Sequence, residues 1–148
     1  VKDRLRAGPG AAPLRIGPAV RERVRWRDLD MMGIVYQANY SRFIEAAETE
    51  LFREAGWTYD AIADRLGVWI ARVRFEIDYR APAKLDDILV STAVLETLGG
   101  ATMTLSFRVE REDGTPVVTA RLVLAAVDRT TLRPARLPAA LRAALRGD

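Results

Sequence analysis

Apolar and polar residues follow two periods along this chain, a helical one in the first half and a period of two in the second. Between Tyr40 and Gly56, the residues Tyr40, Phe43, Ile44, Ala47, Leu51 and Ala55 recur at i, i+3 and i+4 spacing. That spacing draws one apolar stripe along a long helix. Arg42, Glu45, Glu48, Arg53 and Glu54 fill the rest of its surface, and Gly56 stands where a helix stops. A weaker alternation over Ala19 to Arg27 predicts a first strand before the helix. Tyr59 to Leu66 predicts a short second helix, ended by Gly67.

From Ala71 onward the alternation is strict. Ala71, Val73, Phe75, Ile77 and Tyr79 fall on one face and Arg72, Arg74, Glu76, Asp78 and Arg80 on the other, which predicts a strand with one dry face. Pro82 ends that strand or confines it to an edge. Ile88 to Leu98 predicts a third strand, turned by Gly99-Gly100. Met103, Leu105, Phe107 and Val109 mark a fourth, and Asp113-Gly114 is a strong hairpin signal before a fifth at Val117 to Val127. Ala139 to Arg146, after Pro138, predicts a short terminal helix. Residues 1–19 hold prolines and glycines without a period and read as a flexible tail, so the domain is expected over residues 20–148. The class is α+β: one long helix against a five-stranded, mostly antiparallel sheet, with the last four strands forming a meander. One helix covers only part of such a sheet, so the remaining surface is expected to meet another subunit.

Composition narrows the chemistry. At 148 residues the chain is long enough for one well-filled domain. A formal charge of +3 is too mild to imply nucleic acid, and none is expected as a partner. There is no cysteine and no histidine, which excludes a thiol nucleophile, thiolate or imidazole metal sites and a Ser-His-Asp triad. Acid–base or nucleophilic work must rest on Asp, Glu, Lys, Tyr, Ser or Thr. No apolar run spans a bilayer and none resembles a secretory leader, so a cytoplasmic protein without membrane insertion is expected.

Candidate chemistry gathers just before the long helix, in Arg27-Asp28-Leu29-Asp30-Met31-Met32-Gly33-Ile34-Val35-Tyr36-Gln37-Ala38-Asn39-Tyr40. This block, followed by Asp78-Tyr79-Arg80-Ala81-Pro82 and Asp86-Asp87-Ile88-Leu89, resembles the hotdog-fold acyl-CoA thioesterases of the 4-hydroxybenzoyl-CoA thioesterase type. The resemblance covers roughly residues 20–140. It implies a hotdog fold, an acyl-CoA substrate, no metal or organic cofactor, and assembly as a homodimer or homotetramer. It also implies that Asp30 is the catalytic carboxylate and that the backbone N–H of Gln37 polarises the thioester carbonyl. Many relatives carry His where this chain has Gln37, and some carry basic residues at the turn that here is Gly99-Gly100.

Such parts suit the reaction. An unsatisfied N–H at a helix start carries the positive end of the dipole, and one oxyanion donor lowers a barrier by about 3 kcal/mol. Asp30 acts either as nucleophile, giving a mixed anhydride, or as a base toward water, and the sequence leaves both open. Gly33 lets the backbone pass close to a substrate. Tyr36 and Asn39 are candidates for lining the pantetheine channel, equally with packing and capping roles. Arg72, Arg74 and Arg80 are candidates for phosphate contacts, against a solvated or inter-subunit face. Asp28 reads as a turn residue, and Glu45 and Glu48 as a solvated or salt-bridged helix face. Other expectations on the same fold are a non-catalytic acyl-CoA sensor and a thioesterase acting on acyl carrier protein.

Overall fold

The computed structural model describes residues 11–148. Two short strands come first, β1 (Arg15–Ile16) and β2 (Val20–Arg23), then the long helix α1 (Tyr40–Glu54) and the short helix α2 (Tyr59–Leu66). Four long strands follow, β3 (Val68–Tyr79), β4 (Ile88–Leu98), β5 (Thr102–Arg111) and β6 (Pro116–Asp128), and then α3 (Ala139–Arg146). All strand pairs are antiparallel, in the order β1-β4-β5-β6-β3, with β2 also on β4.

Three expectations need correcting. Among the described residues the sheet has six strands rather than five, because residues inside the predicted tail join it. Leu14 N–H donates to Leu95 O at 2.9 Å and Gly17 N–H to Ala93 O at 2.8 Å. The part of that tail over residues 1–10 lies outside the described residues. The first strand stops at Arg23, since Trp26–Asp28 is a tight 3-10 turn fixed by Arg25 N–H donating to Asp28 Oδ2 at 2.7 Å. And β3 pairs with β6 rather than with the next strand, so the chain crosses the sheet between β3 and β4 and only β4-β5-β6 is a meander.

The stripe on α1 is buried as its spacing demands: Tyr40, Phe43, Ile44, Ala47 and Leu51 are all sealed. They lie over Leu89, Ala93 and Leu95 of β4, Leu105 and Phe107 of β5, and Leu122 and Leu124 of β6, one continuous core. The other sheet face, with Thr92, Val94, Ser106, Arg108 and Arg121, is half-buried or exposed, the usual condition of an antiparallel sheet packed on one side. At the far edge β3 is less covered than predicted. Val73, Phe75 and Tyr79 of its expected dry face keep 59%, 46% and 51% of their surface exposed.

Candidate active site

The segment between β2 and α1 is built on Asp28. Its carboxylate is 3% exposed and accepts from Arg25 N–H, from Arg42 Nε at 3.2 Å and from Arg42 Nη2 at 2.6 Å. Burial alone would raise the pKa of this carboxyl, but the Arg42 guanidinium and the Arg25 N–H together hold it below its ordinary value. The carbonyl of Asp28 accepts from Tyr36 N–H at 2.9 Å and from Asn39 Nδ2 at 3.0 Å. One residue thus ties the strand end, the loop and the start of the helix together, which agrees with its reading as a turn residue.

Asp30 heads the loop held by that brace. Its N–H donates to Ile34 O at 2.9 Å, and Gly33 N–H donates to Asp30 O at 3.0 Å. Gly33 takes φ +75°, and a Cβ placed on it would meet nothing within 4 Å. The left-handed turn accounts for a glycine at this position. Asp30 Oδ1 accepts from Met32 N–H at 2.8 Å, and Oδ2 has no partner among the described residues. Val35 N–H donates to Ala83 O at 2.9 Å and anchors the loop on the β3–β4 connection.

The chain then enters the 3-10 turn Gln37–Asn39, which leads directly into α1. Among the described residues the Gln37 N–H donates to nothing, as befits the first residue of a helical turn. Tyr79 Oη donates to Gln37 O at 3.2 Å, and the Tyr79 ring lies 5.8 Å from that of Tyr40. Burial raises the pKa of the Tyr40 phenol, which keeps it neutral. Asp30, Tyr36, Gln37, Tyr40, Tyr79 and Arg80 line one open cleft of about 600 Å³. Asp30 and Gln37, the two residues that the sequence paired, therefore line the same space.

The other candidates are distributed differently. Tyr36 lines this cleft, whereas Asn39 and Gly33 do not; Asn39 braces the helix start through Asp28. Arg74 is exposed and pairs with Glu76, away from the cleft. Arg72 was expected on the polar face of β3 but faces α1. A β-bulge between Arg72 and Arg74 inserts Val73, so that Arg72 pairs with Leu124 and Phe75 with Leu122. Leu122 and Leu124 are both buried under the helix, and the bulge puts Arg72 on their side.

There Arg72 Nη2 donates to Glu48 Oε2 at 2.7 Å, and Tyr59 Oη donates to Glu48 Oε1. Glu48 is 0% exposed, so it is a buried ion-pair residue and not part of a solvated face. Burial pushes its carboxyl above the ordinary glutamate value, against the pull of Tyr59 and Arg72. Burial and then the Glu48 charge push the Tyr59 phenol up as well. A second cleft of about 360 Å³ opens against this group, between α1 and β3. The helical spacing did not reveal this group. The only signal in the sequence was a glutamate flanked on the helix by Ile44, Ala47 and Leu51.

Comparison with known proteins places the chain. Residues 24–145 match the thioesterase-like superfamily. The chain is 31% identical over 122 residues to "Acyl-CoA thioesterase YbgC" of Haemophilus influenzae, covering 82% of this chain and 89% of that protein. It is 29% identical over 116 residues to "Acyl-CoA thioester hydrolase YbgC" of Escherichia coli, covering 78% and 86%. The structure of a 1,4-dihydroxy-2-naphthoyl-CoA thioesterase from Synechocystis superposes with a TM-score of 0.80 at 17% identity, over 88% of this chain and 96% of that one, and so shares its fold. With its long helix on an antiparallel sheet, this is a hotdog-fold protein, and the chain belongs to the thioesterase-like superfamily.

Proposed function

We propose that the protein hydrolyses acyl-CoA thioesters to the free acid and coenzyme A, with Asp30 and the Gln37 N–H as the reacting pair. The observation that carries this reading is that both groups line one cleft, the first with an unengaged carboxylate oxygen and the second with an unengaged N–H. The names of the Haemophilus and Escherichia relatives support the same activity.

The thioester oxygen accepts from Gln37 N–H, which stabilises the charge gathering there as the carbonyl carbon becomes tetrahedral. Asp30 Oδ2 then attacks that carbon, or takes a proton from a water that does. In either case the C–S bond breaks, the thiolate of coenzyme A leaves and is protonated, and one water is consumed overall. The reaction draws on these groups without a cofactor. Tyr79 holds the Gln37 carbonyl and Asn39 the helix start, so both position the amide. Arg80, which lines the cleft, is the candidate for a phosphate of coenzyme A, since among the described residues its guanidinium engages only Thr119 and a distant Asp78.

Asp30→Asn is expected to lower kcat with acyl-CoA at least about 100-fold, the lower range for loss of a catalytic acid–base group, while acyl-CoA still binds. Release of free thiol and equilibrium binding measure the two separately. Full turnover in the Asn variant would remove Asp30 from the reaction.

A further inference from the structure

We infer that the second cleft receives the far end of the acyl group and favours acyl chains that carry a hydroxyl there. The inference rests on the hydrolase reading for its orientation, and on the Glu48–Tyr59–Arg72 group for its chemistry.

The two clefts are lined by successive stretches of one seam between α1 and β3. At the first, Tyr40 of α1 meets Tyr79 of β3; at the second, Glu48 meets Arg72. Helix and strand run in opposite directions along it, so moving up α1 from Gln37 is moving back along β3 from Tyr79. The second cleft begins at Ser41, immediately after Tyr40 of the first, and reaches Glu48. Those seven residues span about 10 Å of helix. A thioester held at the Gln37 N–H therefore sends a medium-length acyl chain along Ile44, Phe75 and Leu122 toward Arg72.

Arg72 is the group that meets it. Glu48, sealed from solvent, takes one nitrogen of the guanidinium and fixes its direction, and Tyr59 holds Glu48 from the other side. The Arg72 side chain keeps 49% of its surface exposed, and its Nε and Nη1 have no partner among the described residues. Donors held in place at the end of an apolar trough call for an acceptor. A carboxylate tail suits the site poorly, because one guanidinium stands against the two carboxylates of Glu45 and Glu48. A hydroxyl suits it well: its oxygen accepts from Arg72 and its proton goes to Glu45 or to Ser41. A bare methyl end would cover the free Arg72 donors without replacing their water, which costs binding.

Octanoyl-CoA, ω-hydroxyoctanoyl-CoA and suberoyl-CoA, whose tail ends in a carboxylate, separate these cases. The protein is expected to turn over the hydroxylated chain with a kcat/KM about tenfold above that of octanoyl-CoA, and suberoyl-CoA less well than either. In Arg72→Met the ratio of hydroxylated to plain chain should fall to near one. If that variant does not fold, Glu48→Gln/Arg72→Met removes both charges of the pair and serves the same purpose. Equal turnover of the first two chains by the unaltered protein, or a preference that survives the loss of Arg72, overturns the inference and leaves hydrolysis standing. If no thioester is cleaved, the hydrolase reading fails, and calorimetry with the same three ligands still decides whether the hydroxyl strengthens binding about tenfold.

Discussion

Asp28 and Asp30 sit two residues apart on one loop and meet opposite surroundings. Asp28 is sealed and spends its oxygens on Arg25 and Arg42, whereas Asp30 lines a cleft and has one oxygen without a partner among the described residues. The difference has a consequence in stability. A carboxyl whose pKa is depressed on folding stabilises the native state fully above its unfolded value, near 3.8 for Asp28, and loses that contribution as pH falls below it. Asp28→Asn is therefore expected to unfold about 1–2 kcal/mol more easily at neutral pH, because Arg42 exchanges a charged acceptor for a neutral one while keeping Glu22. Its stability should also fall less than that of the unaltered protein between about pH 4 and pH 2, in the range where an aspartate protonates. Urea unfolding across that range measures both. Identical slopes for the two proteins would mean that Asp28 contributes no acid sensitivity. The sequence showed the two residues and, through the resemblance, which one to favour. It did not show Arg42 as the reason, because the ion pair closes across 14 positions of chain.

At the scale of elements, periodicity was legible wherever one neighbour decides burial. The α1 stripe and the alternation of β4, β5 and β6 face one common core, and each appears where its spacing put it. β3 was misread because its pattern is strictly regular and its structure is not. The bulge at Val73 shifts the register by one, and a shift of one exchanges the faces of everything beyond it. That exchange carries Arg72 to Glu48. Arg72→Met should leave Glu48 buried without its cation. Chemical denaturation is expected to show a loss of about 3 kcal/mol, the cost of breaking a buried pair from one side. A neutral substitution would mean that the pair the bulge sets up does not stabilise the fold. The early strand was misplaced for a related reason, since β1 exists only because β4 offers an edge to residues with no period of their own.

For the whole molecule the open question is what covers β3. It is the longest free edge of the sheet among the described residues, twelve residues paired on one side only. Val73, Phe75 and Tyr79 stand exposed along it, with Trp69 also uncovered near its start. A long edge carrying apolar side chains is a template for further pairing, and a second copy of the chain offers the same edge in a two-fold arrangement. We propose a homodimer joined along β3, which would also close the open side of both clefts, since Tyr79 lines one and Phe75 the other. Sedimentation at micromolar concentration should give the mass of a dimer, and Val73→Asp, which sets a charge at the centre of that edge, should shift the mass toward a monomer. Because each cleft would lose its outer wall on separation, turnover per chain in the variant should rise with protein concentration as the dimer re-forms. A monomer that hydrolyses acyl-CoA at a rate independent of concentration would show that each chain carries a complete site and that β3 serves some other purpose.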